Sequence, residues 1–182
     1  VAGRHQRAER IGVTMEHLSE LFGDMMQVAY VTDDLDAATN HLESMYGTAR
    51  FRINRGSSLG GKVRVGGELA DEWVIDAALV YAGATNIEVI QPVRGSVELY
   101  RAGIRPGALL TFHHLGFRVD DFDEAAAVVE RAGREWAQEG TFGDIRFGYL
   151  DLTAELGHFV EIMELGPHAA AFFASIEAES AR

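Results

Sequence analysis

The chain has 182 residues, of which 47% are apolar and 24% charged, with a formal net charge of −12 and no cysteine. That length suits one compact domain or two small halves sharing a core. The acidic balance argues against nucleic acid, which needs clustered Lys and Arg, and the lack of cysteine excludes disulfides, thiolate metal sites and a cysteine nucleophile. No apolar run reaches the roughly 20 residues of a membrane span and no signal-peptide core opens the chain, so no membrane partner and a cytoplasmic location are expected.

In chain order, residues 1–13 are basic and weakly patterned and read as an arm. Residues 14–22 read as a short helix with Thr14 as N-cap, so that 1–24 stand apart from the rest of the chain. A first strand is expected over 26–32. Asp33 or Asp34 then caps a helix whose Leu35, Ala38, Leu42 and Met45 form one stripe, and Gly47 stops it. A short strand over 50–54 leads into a glycine-rich stretch, 56–67, that reads as a loop or loose hairpin. Strands over 73–81 and 85–91 complete a first module spanning 25–92. Residues 93–110 form a linker with a helical turn near 96–102. The second module, 111–166, has a strand over 112–119, a helix over 121–132 stopped by Gly133, and strands over 135–139, 145–150 and 158–165. Pro167 opens a final helix, 167–182, with Phe172, Phe173 and Ile176 on one side.

The second module repeats the first. Residues 27–36 (QVAYVTDDLD) match 114–123 (HLGFRVDDFD) in hydrophobic pattern and in the Asp-Asp-x-Asp turn. Each stretch is followed downstream by a strand with a central glutamate, Glu88 within 86–91 and Glu161 within 159–164. Strand, helix and three strands, written twice, predict an α+β fold of two tandem βαβββ modules. Neither half alone buries both faces of a four-stranded sheet, so the halves are expected to share one curved sheet.

Strand alternation assigns faces. Leu115, Phe117 and Val119 are apolar and belong under the helix, which leaves His114, Gly116 and Arg118 on the concave side and sends His113 to the helix side. By the same count Gln27, Ala29 and Val31 share the concave side with Asn86, Glu88 and Ile90 and with Phe159, Glu161 and Met163. One glutamate in a strand commonly faces water. Two at matching places, together with Gln27 and His114 at matching places, favour a shared site, because an unpaired buried carboxylate is costly. Tyr149, Phe147, Trp73 and Phe159 are candidate cavity walls, and Arg118 a candidate group for an anionic substrate.

The repeated strand–Asp-Asp-x-Asp–helix unit with its late glutamates resembles the vicinal oxygen chelate superfamily, which includes glyoxalase I, methylmalonyl-CoA epimerase, extradiol dioxygenases and bleomycin-resistance proteins. Residues 113–123 and 156–161 look most like its glyoxalase and epimerase branch. The resemblance covers about residues 25–166. It implies a U-shaped, mostly antiparallel sheet around a central cleft, and a divalent metal (Zn, Ni, Co, Mn or Mg) held by Gln27, Glu88, His114 and Glu161. With Gln27 in place of a second histidine, an iron dioxygenase is disfavoured. The implied activity is a metal-dependent isomerase, epimerase or lyase that moves a proton beside a carbonyl of a small-molecule substrate. Glu161 is the first choice of base, Glu88 the second, and Arg118, Asn86, Phe159 and Tyr149 are the substrate-binding candidates. The competing expectation is a sequestering protein that uses the same cleft without reaction. The resemblance also implies a homodimer.

Overall fold

Two carboxylates start the helices Leu35–Tyr46 and Phe122–Arg131. Asp34 accepts a hydrogen bond from the Ala37 amide at 3.0 Å, and Asp121 accepts from Asp123 and Glu124 at 2.8 and 3.1 Å; these satisfy first-turn donors that have no partner within the helix. The first helix ends at Gly47, whose φ of 64° is the left-handed conformation that glycine adopts most readily.

The computed structural model describes residues 18–181. The expected arm and the Thr14 cap lie outside these residues. A 3-10 turn, Ser19–Leu21, precedes β1 (Asp24–Val31), α1 (Leu35–Tyr46), β2 (Arg52–Ser58), β3 (Val63–Val65), β4 (Glu68–Leu69), β5 (Trp73–Ala82) and β6 (Thr85–Gly95). Then come α2 (Glu98–Arg101), β7 (Thr111–Arg118), α3 (Phe122–Arg131), β8 (Gln138–Phe142), β9 (Ile145–Leu152), α4 (Thr153–Leu156), β10 (His158–Leu165) and α5 (Pro167–Ser180). None of the helices among the described residues is long and apolar enough to cross a membrane.

Among the described residues ten strands form one curled sheet in the order β2-β5-β6-β1-β7-β10-β9-β8-β3-β4. Each half contributes the same arrangement read outward from the centre. β1 runs parallel to β6 and β7 parallel to β10, while β1 and β7 meet antiparallel and every other pair is antiparallel. The first strands of the two halves are therefore the middle of the sheet, as a shared-sheet fold requires.

The helices cover the outer face. Leu35, Ala38 and Leu42 of α1 pack on Ala78, Val80, Ile87 and Val89, and Ala125, Val128 and Val129 of α3 pack on Leu150, Leu152, Val160 and Ile162. On the concave face Trp73, Ile75, Ile90, Phe147, Tyr149 and Met163 gather with Tyr100 of α2. Phe173 and Ile176 of α5 pack on Leu79 at the open side of the curl.

Of the loop or loose hairpin expected for the glycine-rich stretch, the structure has the hairpin, β3 pairing antiparallel with β4, and adds a pairing the sequence does not suggest. β3 pairs with β8 of the other half, Val63 opposite Gly140 and Val65 opposite Gln138. A Cβ on Gly140 would sit 2.8 Å from the Lys62 carbonyl oxygen, so the pairing uses the bare backbone there. Val63 is fully buried by it. The sequence pattern hides this strand because its three residues are too few to show alternation.

Candidate metal centre

The site is built on two bulges at the centre of the sheet. In the β1–β7 ladder the register shifts between Met25 and Gln27, and again where Ala29 pairs with His114 but Tyr30 pairs with Phe112. One extra residue thus sits in each strand, Met26 in β1 and His113 in β7, each immediately before a repeat-equivalent donor. A bulge breaks strict alternation. Met26 packs against the inner apolar clusters, and His113 stacks on Phe159 with ring centroids 4.9 Å apart and approaches Tyr100 at 5.3 Å. The alternating count that sent His113 to the helix side is corrected by the bulge, which turns it inward.

His113 then fixes His114. The Nε2–H of His113 donates to the Leu99 carbonyl at 3.1 Å, which leaves its Nδ1 as an acceptor for the Nδ1–H of His114 at 2.9 Å. The Nε2 lone pair of His114 is consequently aimed at the cleft. Gln27 is fixed in a similar way. Its amide donates to Asn86 Oδ1 at 2.9 Å while Asn86 donates to the Val80 carbonyl at 3.3 Å, so the Gln27 oxygen turns to the same point. Around it, His114 Nε2 lies 3.4 Å from Gln27 Oε1, 3.2 Å from Glu161 Oε2 and 3.7 Å from Glu88 Oε2. Four acceptor atoms converge with no donor among them.

Burial governs the titration. The Glu161 carboxyl is pushed up to about 8 by desolvation, partly offset by a hydrogen bond from Tyr149. Glu88 is held well above the usual carboxylate range by desolvation and then by the Glu161 charge. His114 is lowered to about 3 by burial and then by His158, and His113 to about 3 by burial and then by His114, against the pull of the Leu99 carbonyl. Both imidazoles are therefore neutral at physiological pH. Without a cation, protonated carboxyls supply the missing donors.

This donor set fits a divalent ion. Donors each about 2.1 Å from a common ion lie roughly 3–4 Å from one another, as the spacings above do. Glu88, His114 and Glu161 each offer an atom within 4.8 Å of the others'. One imidazole nitrogen and three oxygens, with no thiolate, suit hard or borderline divalent metals.

Above this floor lies a cavity of about 120 Å³. Its walls include Ile75, Leu79, Phe147 and Met163 of the sheet and Phe172 and Phe173 of α5. Tyr149 and Trp73 line it as well, whereas Phe159 is taken up by His113 and Asn86 is wholly buried behind Gln27. Arg118 is not among the lining residues. It pairs with Asp24 at 2.7 Å and borders a larger outer groove of about 750 Å³, beside the 3-10 turn and α3, that holds none of the four converging donors.

The sequence reading missed Tyr100 and Gln138. Tyr100 reaches in from the linker helix, where it accepts from Gln138 Nε2 at 2.8 Å, and Trp73 Nε1 donates to Gln138 Oε1 at 3.2 Å. No local pattern signals these contacts, because they join the linker to both halves. The roof formed by α5 was legible only as an apolar helix face.

Comparison with solved structures finds the same fold in methylmalonyl-CoA epimerase from Mycobacterium tuberculosis, with a TM-score of 0.56 and 19% identity over 83% of this chain and 93% of that one. A variant of the Streptomyces coelicolor methylmalonyl-CoA epimerase in complex with 2-nitronate-propionyl-CoA gives 0.52 and 16%, over 79% and 95%. A hypothetical protein from Bacillus halodurans gives 0.56 and 12%, over 79% and 94%. Comparison with curated proteins gives no match. A sequence model described as glyoxalase/bleomycin resistance protein/dioxygenase superfamily matches residues 26–149, more than half of the chain and both donor-bearing central strands. The chain belongs to the glyoxalase/bleomycin resistance protein/dioxygenase superfamily.

Proposed function

We propose that the protein is a divalent-metal-dependent isomerase or epimerase that moves a proton on and off a carbon beside a carbonyl. The observation that carries this reading is the convergence of Gln27, Glu88, His114 and Glu161 at the floor of an apolar cleft. A divalent ion held by these four residues would supply positive charge to a carbonyl oxygen as negative charge develops there. Glu161 takes the proton. Its carboxylate would do so once released from the ion, and Tyr149 holds one side of it. Glu88, on the neighbouring half of the sheet, is a second acid at the same floor; in its protonated form it would deliver its own proton from another direction as Glu161 keeps the one it took, the two exchanging roles in the reverse reaction. The methylmalonyl-CoA epimerases share the fold and support the reaction type.

The small roofed cleft also suits the sequestering reading, in which a ligand is held without reaction. Metal content of protein purified without chelator or metal-affinity resin separates the possibilities first. About one divalent ion per chain is expected, and none in Glu161→Ala. No ion, and none taken up on titration, would overturn the enzyme reading. Given metal, deuterium exchange beside the carbonyl should occur with the wild type and fail with Glu161→Gln. Ligand binding without exchange in either protein would favour sequestration.

A further inference from the structure

We infer that the portion of the substrate entering the cleft is an uncharged, compact, largely apolar carbonyl compound, and that carboxylates and phosphates are excluded from it. The carbonyl rests on the function proposed above; the lack of charge does not. Away from the floor the lining is Leu59, Ile75, Leu79, Ile90, Phe147 and their apolar neighbours, relieved only by Asn54, Ser57 and aromatic hydroxyl or indole groups. Among the described residues no Lys or Arg lines the cleft.

Four arginines on the strands are already paired. Arg52 binds Ser175 and Glu179 of α5, Arg55 binds Asp36 and Asp76, Arg118 binds Asp24, and Arg146 binds Asp123. The start of α5, beside the lining residue Ile145, is closed to an anion as well. Asp144 already accepts from the amides of His168 and Ala169 at 2.8 and 3.0 Å, so a carboxylate of the protein occupies the site that a substrate anion would use.

Size completes the description. An apolar cavity of about 150 Å³ accepts benzene, so a cleft of about 120 Å³ suits a group of about that size, with any remainder of the substrate extending out of its open side.

Acetoin and lactate test this, since they are alike in size and differ in charge. Each is titrated by ligand-observed NMR into the zinc-loaded protein and into the metal-free protein. Acetoin is expected to bind about tenfold or more tighter than lactate in both forms, against the ordinary preference of zinc for the anion. Ser57→Lys, at a half-buried wall position, should narrow that ratio by strengthening lactate, with circular dichroism confirming the fold. Equal binding, a preference for lactate in the wild type, or no binding of either probe overturns the inference. Zinc uptake is measured on the same samples, so a chain that takes no zinc yet still prefers acetoin would sink the proposed function and leave this inference standing.

Discussion

Gly116 lies between Gln27 on β1 and Glu161 on β10. A Cβ there would sit 2.9 Å from Gln27 Cβ, 3.0 Å from Gln27 Oε1 and 2.8 Å from the Met163 methyl. The Met163 end is flexible and yields, but Gln27 Cβ is fixed to the backbone. Gly116→Ala is therefore expected to keep the fold while pushing the Gln27 oxygen off the centre, lowering zinc affinity about 10–100-fold, the usual effect of disturbing a ligand's support. Competition with a chromogenic chelator reads this, and unchanged affinity would show that Gln27 is not a ligand. Asn86→Leu tests the same residue from behind. It strands the Gln27 amide donor, expected to cost about 1–3 kcal/mol of stability in urea titration, and frees the amide to flip. Both donor pairs were legible in the repeat, because Gln27 and His114 hold the same place in it, as do Glu88 and Glu161. The direction of His113 was not, since a bulge is set by the pairing of two strands and leaves no mark on one strand's own alternation.

Among the elements, α5 couples stability to the site. Ile176 is almost fully buried against Leu79 and Phe173, and Phe173 in turn lines the cleft. Ile176→Ala should cost about 2–5 kcal/mol, read as a lower urea midpoint with unchanged slope. It should also loosen the roof and speed dissociation of a cleft ligand. A fall in stability with unaltered ligand dissociation would mean that α5 is a strut and not a cover. The helix itself was evident from Pro167 and the apolar Phe172, Phe173 and Ile176. What it covers was not evident, because an amphipathic face specifies that something apolar lies opposite and not which strand supplies it. The segment 63–65 shows the same limit more sharply, since its partner β8 lies in the other half of the chain.

Across the whole molecule, pH acts through the buried centre. Glu161, ordinarily 4.5, is raised to about 8, and Glu88 is raised in the same direction. Their contribution to stability is complete below about pH 4.5 and is lost as pH climbs through about 8. His113 and His114, ordinarily 6.5, are lowered to about 3, so their contribution is complete above about 6.5 and is lost as pH falls towards 3. The metal-free protein should accordingly show its highest Tm between about pH 4.5 and 6.5 and decline on both sides. Zinc should remove much of the alkaline decline, because a cation favours the carboxylates, and metal affinity should rise with pH. A metal-free Tm that rises steadily from pH 6 to 8 would contradict the burial of these groups.

The sequence by itself determined the α+β class, the tandem βαβββ order and the four donors that face one another, because a repeated period and repeated polar positions survive in a linear text. The tertiary structure decided which donors have their lone pairs turned inward, that His113 and Asn86 do the turning, that Arg118 serves Asp24 and not the cleft, and that α5 closes the curl. Those outcomes depend on register, bulges and contacts between segments far apart in the chain, and such pairings are settled by the free energy of the assembled sheet and not by any one stretch of residues.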